Sequence, residues 1–211
     1  MDLKSRLFAE RLYLVLASIF IASLISSNLI FQKFFIWSAW LPIIGKYSFE
    51  ISVGILPYPI TFLVTDIISE IYGRKKADQV VVTGFIASIF IMIIVSIADA
   101  VTATTWSPVN NEMFHKVFGL FGPAVFASMT AYLLAQFIDI RMFHFWKKLT
   151  NGRHLWLRNN GSTIFSQLVD TSAVLLLLCS FSVIEWSRFG SLLLNGFLFK
   201  VIVALVDTPL F

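Results

Sequence analysis

Six stretches of mainly apolar residues, each near the length of a membrane-crossing helix, constrain the fold of this chain more than any other feature. They cover approximately residues 12–30, 49–72, 79–101, 123–140, 162–184 and 189–211. An α-helix needs about 20 apolar residues to cross the hydrocarbon core of a bilayer. Only 13% of the residues are charged, roughly half the fraction in soluble proteins. The sequence therefore predicts an all-α, polytopic membrane protein whose six transmembrane helices form a single domain over residues 1–211.

The basic residues alternate between the two sides of this predicted bundle. One side receives Lys4, Arg6, Arg11, Arg74, Lys75, Lys76, Arg141, Lys147, Lys148, Arg153 and Arg158. The other side receives only Lys33, Lys46, Lys116 and Arg188. Because cytoplasmic loops carry the excess of Lys and Arg, this pattern predicts that both termini are cytoplasmic. The same alternation accounts for the net charge of +4, so no nucleic-acid partner is expected. The first span follows basic residues, but it is too long for a signal peptide and is expected to be retained.

Several ionisable residues lie inside the predicted spans, where they are costly and usually functional. Asp66 and Glu70 are four residues apart, so they share one face of the second helix. Asp170 in the fifth span and Lys200 in the sixth each lie ~18 Å from a basic residue at the edge of the span. Because their depths agree, we expect these two side chains to pair. A purely structural ion pair is the alternative interpretation of Asp170 and Lys200.

The segment Pro57-Tyr58-Pro59, which follows Gly54, lies inside the second apolar stretch. Two prolines remove two backbone donors, and a broken helix survives in a membrane only where protein or water satisfies the freed carbonyls. The sequence therefore predicts an interrupted helix beside a cavity. We expect the polar groups of the second, fourth, fifth and sixth spans to converge on that cavity.

Sequence motifs of several enzyme and metal-site classes are missing from this chain. It contains no G-x4-G-K-[ST] loop, no H-E-x-x-H and no G-x-S-x-G, and its single Cys179 has no partner for a disulfide. The three histidines have no nearby carboxylates or thiols that would form a metal site. No cofactor, no metal and no enzymatic activity are predicted. A membrane subunit of an ATP-driven vitamin transporter, an intramembrane enzyme and a structural membrane protein remain alternatives to a transporter that works alone.

The polar motifs of the spans carry a family resemblance. They are Gly54-x4-Pro59-Ile60-Thr61-Phe62, Asp66-x3-Glu70-x-Tyr72-Gly73, Gln136 with Asp139, Trp156-Leu157-Arg158-Asn159-Asn160, Ser162-Thr163, Ser166-Gln167, Asp170-Thr171 and Asp207-Thr208-Pro209. Over nearly the whole chain, this pattern resembles the queuosine precursor transporter family, also grouped as vitamin uptake transporters. The resemblance implies uptake of 7-deazaguanine bases, carrying a nitrile or an aminomethyl group, across the bacterial inner membrane.

We take nine polar residues as candidates for substrate binding. They are Asp66, Glu70, Gln136, Asp139, Asn160, Gln167, Asp170, Lys200 and Asp207. A guanine-like edge presents an N–H beside an amino group, which one carboxylate can accept, while an amide can bind the neighbouring carbonyl. Asp170 with Gln167, or Asp66 with Glu70, could supply these groups. The expected partners are this small molecule and the lipid bilayer, with a homodimer or an energy-coupling subunit left open.

Overall fold

The computed structural model describes residues 3–41, 45–119, 123–182 and 184–207. Within these ranges the chain forms seven helices and one hairpin of two strands. The helices are α1 (Leu3–Ile30), α2 (Tyr58–Tyr72), α3 (Arg74–Ala100), α4 (Asn111–Phe118), α5 (Pro123–Leu149), α6 (Leu155–Ser180) and α7 (Trp186–Asp207), and the strands are β1 (Phe34–Leu41) and β2 (Gly45–Ser52).

Five helical segments of the described chain are long and apolar enough to cross a membrane. They are Lys4–Ile30, Val53–Tyr72, Arg74–Ala100, Leu155–Ser180 and Trp186–Leu205. The prediction of a helical, polytopic membrane protein is thereby confirmed. Helix α5 contains the predicted fourth span, but the count of six spans and the cytoplasmic termini stay predictions.

Helix α3 shows most clearly which surface meets lipid. Large apolar side chains project outward along most of its length, at Val82, Ile86, Phe90, Ile93, Ile94 and Ile97. A soluble protein would bury such a face, whereas hydrocarbon surrounds it at no cost. The opposite face of α3 packs against α1, α2 and α5.

The hairpin between α1 and α2 was not predicted from the sequence. Its strands are antiparallel, with Phe35 opposite Ile51 and Trp37 opposite Phe49. Phe49 and Ile51 are buried against α7, where they form an apolar cluster with Phe199. The Tyr47 hydroxyl also donates a hydrogen bond of 2.6 Å to Asn195 Oδ1 on α7. The hairpin is therefore fixed to the bundle and covers one end of it.

The prolines begin α2 instead of interrupting it, so the predicted interruption was wrong, whereas the predicted cavity does lie beside this segment. The second membrane segment starts after β2 with a 3-10 turn at Val53–Ile55, and not at residue 49. Pro57 is the N-cap of α2 and Pro59 lies in its first turn, where a missing N–H breaks no helical hydrogen bond. Tyr58 lies between the prolines, and its side chain lies inside the bundle.

Gly54 permits a close approach between this turn and α1. The Ser27 hydroxyl donates a hydrogen bond of 2.5 Å to the carbonyl oxygen of Gly54. A Cβ atom on Gly54 would lie 2.7 Å from the backbone oxygen of Ser27, which is closer than nonbonded atoms approach. A residue without a side chain is therefore required here.

The helices enclose both an apolar core and a polar interior. Phe20, Leu24, Phe62, Ile68 and Val81 belong to the apolar core, which joins α1, α2 and α3. Helix α6 packs between α5 and α7 and buries an unusually polar face. This face consists of Arg158, Asn159, Asn160, Ser162, Thr163, Ser166, Gln167, Asp170 and Thr171. Because lipid cannot satisfy such groups, the polar face of α6 marks the inside of the bundle.

Candidate substrate-binding site

A cavity of about 210 Å³ lies beneath the hairpin. The end of α1, β2, the start of α2 and parts of α5, α6 and α7 line it. Most of the lining is apolar, and the polar side chains among it are Ser27, Asn28, Glu50, Ser52, Tyr58, Tyr132, Asp170, Thr171 and Lys200. A cavity of about 150 Å³ holds benzene in another protein. This cavity is large enough for a somewhat larger planar molecule, and few convergent polar groups in an apolar lining are typical of ligand sites.

Asp170 and Lys200 form the ion pair that their depths predicted. Lys200 Nζ lies 2.9 Å from Asp170 Oδ2, and their side chains are 9% and 2% exposed, respectively. The hydroxyl of Tyr58 donates a second hydrogen bond to the same Oδ2, at 2.5 Å. Lys200 Nζ also lies 4.2 Å from the centre of the Tyr58 ring and donates to Thr171 Oγ1 at 3.1 Å. The predicted pairing is confirmed, and Tyr58 completes the cluster.

Two polar atoms of the cavity-lining residues are buried without a partner in the described chain. They are Asp170 Oδ1, an acceptor, and Asn28 Nδ2, a donor. Buried polar atoms are nearly always hydrogen-bonded in native proteins, to protein, water or ligand. Asp170 and Asn28 both line the cavity, so these two atoms are candidates for contacting a bound molecule. Asn28 was missed in the sequence, although an amide inside the first apolar stretch was a usable signal.

A second polar layer adjoins the cavity on the side away from the hairpin. Gln136 of α5 is fully buried there, and its Nε2 donates to the Tyr132 hydroxyl at 2.7 Å and to Thr61 Oγ1 at 3.3 Å. Thr65 Oγ1 lies 3.3 Å from Gln136 Oε1. Tyr132 belongs to both the cavity and this layer, so it connects the two.

The remaining predicted site residues lie beyond this layer or beside the cavity. Asp66 and Asp139 are fully buried and meet between α2 and α5. Glu70 accepts from Lys147 at 2.8 Å and from Arg158 at 3.2 Å.

Asn160 Nδ2 donates to the carbonyl oxygen of Trp156 at 2.9 Å. Gln167 borders a much smaller cavity that also contacts Lys200. Asp207 ends α7, and its side chain lies outside the described part of the chain. Among the nine candidates, the side chains that line the large cavity in the described chain are those of Asp170 and Lys200. The polar groups thus form successive layers and do not all converge on one cavity.

Comparisons with known proteins agree with a transport role. A family model described as "Putative vitamin uptake transporter" matches residues 52–211. A protein of Bacillus subtilis (strain 168) named "Probable queuosine precursor transporter" is 27% identical over 126 residues, which are 59% of this chain and 55% of that protein. The "Queuosine precursor transporter" of Escherichia coli (strain K12) is 26% identical over 165 residues, which are 75% of this chain and 70% of that protein.

The chain thus spans just over half the length of the Bacillus subtilis relative. No solved structure matches the chain. The family match starts at the last residue of β2 and runs through α2, α6 and α7, which carry Tyr58, Asp170 and Lys200 of the cavity. The chain belongs to the vitamin uptake transporter family.

Proposed function

We propose that this chain takes up queuosine precursors, the 7-deazaguanine bases that carry a nitrile or an aminomethyl group, across the bacterial inner membrane. The names of the relatives support this class of cargo. The observation that carries the proposal is the cavity of about 210 Å³, whose lining includes Asp170 and Asn28, each with a buried polar atom that lacks a partner in the described chain. A planar base with donors and a carbonyl on one edge matches both atoms.

The geometry suggests how such a base is held. Asp170 Oδ2 already accepts from Tyr58 and Lys200, so Oδ1 is the oxygen that accepts an N–H of the base. Asn28 Nδ2 then donates to the carbonyl oxygen of the base. A charged acceptor makes a stronger hydrogen bond than a neutral one. Because Gln167 borders the smaller cavity, we assign Asn28 in its place as the amide that binds the carbonyl of the base.

The aromatic rings of the cavity suit a flat ligand. Tyr58 and Tyr132 line it together with Phe31 and Phe34. Aromatic faces bind planar molecules in offset or edge-to-face arrangements, with a large apolar contact area. The apolar majority of the lining thus supplies affinity, and Asp170 and Asn28 supply orientation.

The proposal includes six spans with both termini in the cytoplasm. Helix α5 has 27 residues and is about 40 Å long, enough to cross a bilayer. The alternation of basic residues supports an orientation with the hairpin and the cavity on the outer side. The cargo then enters beneath the hairpin and leaves past the Glu70 cluster, which consists of Glu70, Lys147 and Arg158. The chain acts as a transporter and not as an enzyme, and a homodimer or an energy-coupling subunit is compatible with this arrangement.

Asn28 offers the sharpest test because its replacement leaves the ion pair intact. Cells that can neither make nor import queuosine precursors would express the chain, and queuosine in transfer RNA would be measured at a series of precursor concentrations. The Asn28→Leu variant keeps the side-chain volume but loses the donor, so we expect about a tenfold higher precursor requirement, as one hydrogen bond of about 1.4 kcal/mol gives. The Asp78→Asn variant, which alters an ion pair outside the cavity, is the control.

Two results together support the proposal. Queuosine forms only when the chain is expressed, and of the two variants only Asn28→Leu needs a higher precursor concentration. Correctly inserted protein that yields no queuosine would contradict the assigned cargo. A normal precursor requirement for the Asn28 variant would remove this amide from the binding site.

A further inference from the structure

Asp66 and Asp139 form a carboxyl pair in the interior of the bundle, separate from the large cavity. Asp66 lies on α2 and Asp139 on α5, and both are 0% exposed. The two carboxyl groups are close enough to interact directly. Hydroxyl groups of α6 surround them, and Ser166 Oγ donates to Asp139 Oδ1 at 2.8 Å. Residues from three helices therefore build this pair.

The pair needs a hydrogen-bond donor that the described chain does not supply. Both oxygens of Asp66 and Oδ2 of Asp139 have no donor among the described residues that meets normal hydrogen-bond geometry. An ionised carboxylate only accepts, so two ionised groups in contact would repel each other and leave buried acceptors unsatisfied. One added proton removes the repulsion and satisfies two of these three oxygens, because one carboxyl then donates to the other.

Several charged groups of the surrounding helices are paired with one another in the described chain. Beyond Asp66 on α2, Glu70 contacts Lys147 of α5 and Arg158 of α6. On the cavity side, Asp170 of α6 pairs with Lys200 of α7. The remaining nearby ionisable groups are Asp78 with Arg74 on α3, His144 near the Glu70 cluster and Tyr132, which binds Gln136. No cation of the described chain forms an ion pair with Asp66 or Asp139, so the described side chains do not neutralise this pair.

A proton fits this pair better than a metal ion. Direct contact between two carboxyl groups is the geometry of a shared proton, whereas a bound cation would separate the oxygens and require more ligands. Within the described residues, no group of three or more Asp, Glu, His or Cys side chains could hold a metal ion. A monovalent cation is the competing ligand that an experiment must distinguish.

We propose that Asp66 and Asp139 bind one proton between them, and that this proton is carried inward with the cargo. Proton binding itself does not depend on the identity of the cargo, whereas the coupling rests on the proposed uptake function. In the loaded state one carboxyl is protonated and donates to the other, and release of the proton leaves two repelling carboxylates. That repulsion opposes the packing of α2 against α5 and so links the proton to a change in helix contacts.

The structure contains a connection between the cavity and the carboxyl pair. Tyr58 donates to Asp170 in the cavity, and its ring packs on Tyr132 at 5.2 Å between centroids. Tyr132 accepts from Gln136, which lies one helical turn from Asp139 on α5.

On the opposite side, Glu70 lies about 6 Å along α2 from Asp66, and its side chain is 33% exposed. Glu70 is thus placed to pass the proton to water.

Infrared spectroscopy tests proton binding without any cargo. We expect purified protein at neutral pH to show a C=O stretching band of a protonated carboxyl, which disappears in strongly alkaline buffer. Asp66→Asn and Asp139→Asn should each abolish this band, while Asp78→Asn should retain it. Asparagine can donate an N–H where the proton would lie, so these variants should fold, as melting and size-exclusion profiles would verify. Retention of the complete band in both folded pair variants would refute proton binding.

Uptake into liposomes then tests the coupling. An inward proton gradient of one pH unit, at zero membrane potential, should drive about tenfold accumulation of precursor, because one pH unit corresponds to about 1.4 kcal/mol. The Asp139→Asn variant should lose this gradient-driven accumulation, and Asp78→Asn should keep it. Accumulation that follows a sodium gradient and ignores pH would overturn the proposal in favour of a cation site. A protein that shows the infrared band but takes up no precursor would support the proton site and contradict the assigned cargo.

Discussion

The Asp170–Lys200 pair allows a structural role to be separated from a binding role. In Asp170→Asn, the ammonium of Lys200 loses its carboxylate while only 9% of its side chain is exposed. In Lys200→Met, the carboxylate of Asp170 loses its cation and keeps the Tyr58 hydroxyl. Removing one partner of a buried pair costs about 3–5 kcal/mol because the other charge remains buried. We therefore expect each single variant to be strongly destabilised.

The double variant should regain stability but not function. Replacing both charges leaves no uncompensated ion, and such replacements are often neutral or stabilising. We expect the double variant to lie within about 1–2 kcal/mol of the original protein. Uptake should still fall by about tenfold or more, because a neutral amide oxygen accepts a weaker hydrogen bond from the base than a carboxylate does.

Thermal melting in detergent and uptake at equal membrane content would be measured for all four proteins. If the double variant recovers both stability and uptake, Asp170 and Lys200 serve only to hold α6 against α7. If the single variants melt like the original protein, the description of this pair as buried is wrong.

Three further predictions concern Tyr58, Gly54 and Glu70. Tyr58→Phe removes one donor to Asp170 Oδ2, so melting should show a loss of about 1.5–3 kcal/mol, as for hydrogen bonds to charged groups. Gly54→Ala should lower the free energy of unfolding by about 1–3 kcal/mol through overpacking against α1. The control Gly190→Ala has open space around its Cβ position and should melt at the original temperature or above it. If Gly54→Ala melts like the original protein, the turn can move to accept a methyl group. Glu70→Gln should cost about 1–3 kcal/mol because Arg158 is buried and loses its carboxylate, while Glu10→Gln, in an exposed pair, should change nothing measurable.

The lengths of the apolar stretches and the positions of the charged residues predicted the membrane helices and one long-range contact. The apolar stretches and the basic residues between them indicated a polytopic bundle because insertion depends on local composition. Depth along two helices was sufficient to pair Asp170 with Lys200, since 1.5 Å per residue is a fixed rise. These inferences succeeded because each depends on a property of one helix.

Contacts that depend on several elements could not be predicted in this way. Most of the segment from Phe34 to Ser52 lies between two of the predicted spans, and its packing on Phe199 and Asn195 of α7 depends on a distant part of the chain. The pairing of Asp66 with Asp139 depends on the rotation of α2 against α5, which residue spacing within one helix does not define. The layered arrangement of the polar groups follows from the same packing.

Uptake by the purified chain alone tests the central claim most directly. Liposomes that contain only this protein would be given a labelled aminomethyl deazaguanine, under an inward proton gradient and without ATP or any other protein. We expect accumulation above protein-free liposomes, competition by the unlabelled nitrile precursor, and loss of accumulation in the stable double variant of Asp170 and Lys200. Folded protein that gives no uptake above protein-free liposomes would contradict the claim that this chain transports the precursor under a proton gradient.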